Sequence, residues 1–69
     1  MKVGDSVIIR TDHQAPFFKK FNGATGTILE KDLNRVDWPY MVECDYVWKD
    51  GHYRSLGIAW WRESELELI

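Results

Sequence analysis

The chain has 69 residues, a formal net charge of −2 and 45% hydrophobic residues, which allows one small domain spanning residues 1–69. With 14% aromatic residues, four of them Trp, the chain is too hydrophobic for a disordered protein. No apolar run approaches the length of a transmembrane helix, and charged residues follow Met1–Gly4 too soon for a signal peptide. The single cysteine, Cys44, excludes an internal disulfide and a cysteine-built zinc site. We therefore expect a cytoplasmic protein with no membrane segment.

The first half of the chain predicts two strands separated by a long loop. Apolar and polar residues alternate with a period of two, which is typical of β-strands. Ser6–Arg10 is strand-like, Thr11–Asn22 lacks alternation and predicts a loop, and Gly23–Gly26 leads into a second strand at Thr27–Lys31. The polar residues 32–37 then predict a connection.

The strongest local signal is Asp50-Gly51, a preferred pair for a two-residue type I′ hairpin turn. This turn joins a predicted strand at Tyr40–Lys49 to another at His52–Trp61, and a bulge at Ser55–Gly57 stays open as an alternative register. Regular pairing places the following residues opposite each other: Lys49 and His52, Trp48 and Tyr53, Glu43 and Ile58, Val42 and Ala59, Met41 and Trp60, and Tyr40 and Trp61.

The C-terminal segment completes an all-β pattern. Arg62–Glu65 predicts a single helical turn, and Leu66–Ile69 predicts a last short strand. Five short strands, a long first loop, an extended Asp-Gly hairpin and a turn before the last strand describe a small five-stranded SH3-like barrel.

Four segments resemble the SH3-like barrels of the peripheral subunit IV of photosystem I and related electron-transport accessory domains. These segments, in this order and spacing, are Gly4–Ile9, Gly23–Ile28, Trp38–Val42 and Trp61–Ile69. The barrel of the nitrile hydratase β-subunit is similar. The resemblance implies the fold and an aromatic side chain that points inward at Trp61. It implies no particular partner, because the basic loop of the photosystem subunit has no counterpart in Asp12–Pro16.

The sequence lacks the motifs of common enzyme classes. It has no nucleophile elbow, no phosphate-binding loop and no HExxH motif. Glu63, Glu65 and Glu67 alternate, and we interpret them as a solvated acidic edge that deters strand addition. No two histidine, cysteine or acidic residues lie at metal-ligand spacing. We therefore expect no catalytic residue, no metal and no cofactor.

Strand parity divides the apolar residues between two faces. The residues predicted to point inward are Val7, Ile9, Ile28, Tyr40, Val42, Cys44, Ala59, Trp61, Leu66 and Leu68. The residues predicted to point outward, here called the outer patch, are Ile8, Leu29, Met41, Ile58 and Trp60. The outer patch either closes a second small core or forms one contiguous apolar surface, which monomers rarely expose.

We predict a non-enzymatic protein-interaction module that acts as an accessory or inhibitory subunit of a larger intracellular machine. The outer patch would bind a protein partner or a second copy, and Phe17 and Phe18 of the long loop would form a second contact. The small size also suggests the hypothesis that a phage or mobile element encodes the protein.

The alternative prediction is a small RNA-binding barrel. Its contacts would be the basic and aromatic residues Lys19, Lys20, Arg10 and Phe21. Residues 1–35 carry six basic and four acidic side chains (net +2), and residues 36–69 carry three and seven (net −4). The acidic total argues against this alternative, because affinity for phosphates rises with the positive charge that neutralises them.

Overall fold

The computed structural model describes residues 1–55 and 57–69, and within strand residues 46–49 and 53–55 it describes only the backbone. Seven strands account for most of the chain: β1 (Ser6–Ile9), β2 (Thr25–Lys31), β3 (Tyr40–Cys44), β4 (Tyr46–Lys49), β5 (His52–Ser55), β6 (Ile58–Trp61) and β7 (Leu66–Leu68). One helical turn, α1 (Pro16–Lys19), lies in the first loop, and a 3-10 turn at Glu63–Glu65 precedes β7.

Five strands form one antiparallel sheet in the order β6-β3-β2-β1-β7, and β4 pairs with β5. Among the described residues, β6 and β7 are therefore edge strands, each paired with a single neighbour. The all-β class is confirmed, together with the long first loop and the extended hairpin. The two long strands predicted around the turn are each divided in two. None of the helices in the described residues is long and apolar enough to cross a membrane.

The hairpin has the predicted turn and register. Asp50 and Gly51 both have positive φ, at 53° and 77°, as a type I′ turn requires. All of the predicted residue pairs across the turn are observed. Tyr46 pairs with Ser55 and Glu43 with Ile58, so the two strands of the hairpin have the same number of residues between these two pairs. The bulge considered at Ser55–Gly57 therefore adds no residue to either strand, while Leu56 itself lies outside the described residues.

The core follows the predicted strand parity, and every residue predicted to point inward is buried except Leu68, which is 54% exposed. Leu68 pairs with the buried Val7 and therefore shares the inner face as predicted. It is exposed because it is the last residue of β7, beyond the buried part of the core. The core also contains Phe21, which is fully buried although it belongs to the first loop.

The prediction of an irregular loop at Thr11–Asn22 is wrong over α1. Pro16 stands at the start of this turn, where its missing N–H costs nothing. The rings of Phe18 and Phe21, three residues apart, both meet Trp61 edge-on, at centroid distances of 5.9 and 5.4 Å. Packing against the core therefore selects the helical turn.

The interpretation of three solvated glutamates is wrong for Glu65, which is buried. Its carboxylate accepts hydrogen bonds from the Thr11 hydroxyl at 2.6 Å and from the Arg62 backbone N–H at 3.1 Å. His13 Nε2 lies 3.9 Å from the same carboxylate. Glu65 therefore fixes the start of the first loop to the 3-10 turn, because a buried carboxylate needs such partners. Glu63 and Glu67 are exposed as predicted.

Candidate protein-binding cleft

A cleft of about 470 Å³ runs along the edge strand β6. Its lining comes from the first loop with α1, from the connection between β2 and β3, and from β6. The lining residues are His13, Phe17, Phe18, Arg35, Trp38, Ile58, Ala59 and Trp60. We call this feature the aromatic cleft, since the described residues that line it include four aromatic side chains beside His13 and no carboxylate.

The first loop and α1 form one wall of the aromatic cleft. The His13 and Phe18 rings stack at a centroid distance of 4.8 Å, and Phe17 meets Phe18 edge-on at 5.0 Å. Phe18 is half-buried and packs on the core, whereas Phe17 is 54% exposed. Lys20 Nζ lies 4.8 Å from the centre of the Phe17 ring. Phe18 therefore attaches this wall to the core, and the exposed Phe17 ring beside Lys20 is its accessible surface.

The connection between β2 and β3 supplies the opposite wall. Its ends are joined by a hydrogen bond from Asp32 N–H to the Pro39 carbonyl at 2.8 Å. Within it, the Arg35 N–H donates to the Asp32 carbonyl at 3.1 Å. The Asp32 carboxylate also accepts from the Asn34 N–H at 2.9 Å, as in an Asx-turn. These bonds fix the backbone position from which the Arg35 side chain extends.

Arg35 connects the two tryptophans of the aromatic cleft. Its guanidinium carbon lies 3.9 Å from the centre of the Trp60 ring, and its Nε donates to the Trp38 carbonyl at 3.0 Å. The Arg62 guanidinium lies 5.1 Å from the centre of the Trp38 ring. Such cation–π contacts hold both tryptophans in place without burying them in the core.

The backbone of β6 is open on the side away from β3. The Cys44 N–H donates to the Gly57 carbonyl at 3.1 Å, and hydrogen-bonded pairs alternate along an antiparallel ladder. Since Gly57 is hydrogen-bonded to β3, Ala59, two residues further along β6, is hydrogen-bonded to β3 as well. The N–H and C=O groups of Ile58 and Trp60 therefore point away from β3. Among the described residues these groups have no hydrogen-bond partner. Ile58 and Trp60 line the aromatic cleft, so this edge is part of the site.

The structure brings together two contacts that the sequence analysis kept apart. Ile58 and Trp60 of the outer patch lie in the same cleft as Phe17 and Phe18 of the first loop. Met41 pairs directly with Trp60 in the sheet but does not line the cleft.

The other two members of the outer patch lie elsewhere. Ile8 pairs with Thr25 and with Glu67, so polar residues surround it on the outer face. Leu29 is 39% exposed and lies at the register shift between Ile28 and Glu30. Ile8 is therefore separated from the rest of the outer patch by polar residues, and neither Ile8 nor Leu29 lines the aromatic cleft.

Sequence reasoning missed several residues of the aromatic cleft: His13, Arg35, Trp38 and Ala59. Arg35 and Trp38 lie in a connection whose Asp-x-Asn turn and Trp-Pro pair were available signals. His13 and Ala59 carry no such signal, because their place in the cleft depends on how the first loop packs along β6.

The residues of the alternative RNA-binding prediction do not form one surface. Lys19 and Lys20 are exposed on or beside α1. Phe21 is fully buried, so its ring offers no face for a base to stack on. Arg10 Nε lies 3.4 Å from the Glu67 carboxylate, on the β1–β7 side of the sheet.

The aromatic cleft has a positive rim on an acidic chain. Arg35 and Lys20 lie over cleft rings, and Arg62 lies over Trp38. Among the described residues none of these three cations is in a salt bridge. The site therefore favours a ligand with negative charge.

Cys44 lies outside the cleft and is an inert thiol. Its side chain is buried at the end of β3. Burial raises its pKa to about 11, with a further upward contribution from Asp45 and a downward one from Lys20. The thiol is therefore protonated at neutral pH and is a poor nucleophile.

The chain matches no protein-family model, no curated protein and no solved structure.

Proposed function

We propose that the protein is a non-enzymatic interaction module that holds a protein partner in the aromatic cleft. In this role it acts as an accessory or inhibitory subunit of a larger intracellular machine. The observation that carries the proposal is Trp60, a half-buried ring under the Arg35 guanidinium beside an unpaired strand edge. Trp and Arg are the residue types most enriched among side chains that dominate binding energy at interfaces.

The composition of the cleft supports the same proposal. Phe17 and Ile58 expose about half of their surface at its rim. Trp38 and Trp60 are half-buried under guanidinium groups. Anchored rings with a charged rim are typical of the centre of a protein interface, where aromatic residues and Arg are enriched.

RNA binding is the second candidate, favoured by the Lys20 ammonium over the exposed Phe17 ring. Bases stack on such rings while cations hold the phosphates. The buried Phe21 and the paired Arg10 leave this candidate with fewer contacts than the sequence suggested. The two candidates predict different captured molecules and different sensitivity to nuclease.

The test is affinity capture from native cytosol with three baits: the wild-type chain, Trp60→Ser and Leu68→Ser. Leu68 is the matched control because it is exposed at the opposite edge of the sheet. We expect a nuclease-resistant protein partner on wild type and Leu68→Ser. We expect roughly thirtyfold weaker binding to Trp60→Ser, which corresponds to ~2 kcal/mol for a central Trp.

Thermal unfolding of all three baits establishes that each is folded. Equal capture by all three baits would remove the cleft from the proposal. Loss of all captured material after nuclease treatment, with RNA in the untreated sample, would favour the second candidate.

A further inference from the structure

We propose that the cleft takes an extended, acidic peptide segment of the partner, which adds as a further strand to the free edge of β6. This inference rests on the proposed protein-binding function and specifies the conformation and charge of the bound segment. Strand addition of this kind takes its affinity from main-chain hydrogen bonds and its specificity from alternate side chains.

The backbone of β6 presents the groups that strand addition needs. The N–H and C=O groups of Ile58 and Trp60 point away from β3 and lack partners among the described residues. Residues two apart on a strand are separated by about 7 Å, which is also the repeat of an incoming extended chain. An added strand would satisfy both pairs of groups without any change in the sheet.

Side chains on both faces of β6 leave room for the alternate side chains of an added strand. On the inner face, β6 has two side chains, the small Ala59 and the fully buried Trp61. Ala59 therefore leaves space beside the strand. Phe17 and Phe18, which also line the cleft, pack edge-on against the core rings of Phe21 and Trp61. On the outer face, the added strand would run past Trp60 and its covering Arg35.

Charge selects an acidic segment. The cleft lining contains Arg35 and His13 but no carboxylate, and Arg62 and Lys20 lie at its aromatic rim. The carboxylate of Glu43 is outside the lining, on β3 opposite Ile58. An acidic segment would give Arg35, Arg62 and Lys20 the counter-charges that the described residues do not provide, and would speed its association.

A second copy of this chain is a poorer occupant of the same edge. Two-fold pairing of β6 with β6 would bring the cationic rim of one copy against the identical rim of the other. Arg35 and Arg62 of each copy would then face like charges, which is unfavourable at a desolvated interface.

The test uses synthetic peptides of about eight residues, a usual strand length. The first peptide alternates Glu with Val and Phe, and a matched peptide has Lys in place of each Glu. Two further acidic peptides carry N-methyl groups at either all odd or all even positions, which removes the backbone donors on one side of the peptide only. Binding is measured by calorimetry and by amide hydrogen exchange of the isotope-labelled protein.

We expect the acidic peptide to bind, with new exchange protection at the Ile58 and Trp60 amides. The Lys peptide should bind at least about tenfold more weakly. One N-methylated peptide should lose about tenfold or more, because its donors face β6, while the other keeps its affinity. Arg35→Glu should reverse the preference between the Glu and Lys peptides. The control Arg10→Glu, beside Glu67 at the opposite edge, should leave that preference unchanged.

Several results would overturn the inference. Equal binding of both N-methylated peptides would exclude strand addition, and equal binding of the Glu and Lys peptides would exclude acidic selectivity. Protection of Ile58 and Trp60 in a concentration-dependent dimer would assign the edge to a second copy. If no peptide binds but Trp60-dependent capture of a protein persists, the inference fails while the proposed function stands. If both fail, the cleft is not a protein-binding site.

Discussion

The two edge strands of the five-stranded sheet, β6 and β7, differ in their charge and in the residues that surround them. The β7 edge is three residues long and carries the charged Glu67, which lies 3.4 Å from Arg10. The β6 edge carries no charged residue and lies in a cleft lined by rings. Short length and charge are common means of preventing strand addition, so β7 is protected in the usual way. The four-residue β6 has no charged residue, and this difference supports the proposal that its edge binds a partner.

Within β6, neighbouring tryptophans have opposite roles. Trp61 is fully buried against Phe18 and Phe21, whereas Trp60 is half-buried under Arg35. One strand therefore supplies a main part of the core on its inner face and the proposed binding anchor on its outer face. Variants that affect one role without the other separate the stability of the fold from the function of the edge.

The largest expected effect is that of Trp61→Ala. Its ring fills the centre of the core, so truncation should lower the free energy of unfolding by about 3–5 kcal/mol. The Trp61 indole N–H is buried without a hydrogen-bond partner among the described residues, so packing accounts for the loss. Trp61→Phe should therefore cost less than Trp61→Ala in urea unfolding. Cooperative unfolding of Trp61→Ala close to the wild-type midpoint would show that the burial assigned to Trp61 is wrong.

We expect the ionisation of Cys44 to lower the free energy of unfolding at alkaline pH. Its pKa of about 11 in the folded state lies above the ordinary value of 9.0. The unfolded chain therefore releases the thiol proton first, so stability is complete below pH 9 and falls as the pH rises to about 11. The loss should reach about 2.5 kcal/mol relative to Cys44→Ala, measured by urea unfolding across this range. Parallel curves for the two proteins would contradict the burial of the thiol.

Gly26→Ala tests the centre of the sheet, away from both edges. An added Cβ would lie 2.6 Å from the Glu43 carbonyl oxygen and 2.7 Å from Val42 Cγ1. Because the first contact is with backbone, β2 and β3 must separate, at a cost of about 2 kcal/mol. Gly51→Ala is the space control, since nothing lies within 4 Å of its added Cβ, although its φ of 77° adds backbone strain. Unchanged stability of Gly26→Ala in thermal unfolding would contradict the close approach of β2 and β3.

The smallest effect on stability is expected at the two edges. Trp60→Ser removes the half-buried ring and with it the cation–π contact with Arg35, at a cost of about 1 kcal/mol. Leu68→Ser should cost about as little, because Leu68 is exposed on β7. Unfolding of Trp60→Ser at 25 °C would instead assign Trp60 to a second core.

Local patterns were sufficient to predict most of the sheet. Asp50-Gly51 gave the hairpin turn and, with it, the pairing of Tyr40 with Trp61 and of Met41 with Trp60. Alternation along β6 then separated the inner Trp61 from the outer Trp60. These features depend on neighbours in sequence or directly across one turn, which a single sequence contains.

The cleft could be predicted only in part, because it depends on contacts between distant segments. The aromatic residues of the first loop predict a contact at Phe17 and Phe18 but not the helical turn α1, which forms through packing of Phe18 on Trp61. Arg35 reaches Trp60 across the sheet from a connection whose path no periodic pattern specifies. Leu68 shares the inner face with Val7 but is exposed, because parity alone does not reveal that the core ends before the last residue of β7. The resemblance to the photosystem subunit IV barrels stays a prediction.

The most direct test of an open, functional edge is amide hydrogen exchange along β6 in the free monomer. Ala59 and Trp61 bond to β3 in the observed ladder phase, whereas the Ile58 and Trp60 amides face away from it. We expect the Ile58 and Trp60 amides to exchange at least about a hundredfold faster than those of Ala59 and Trp61. Equal, strong protection of all four amides would mean that β6 already has a partner on its outer side, and the edge would not be available for binding.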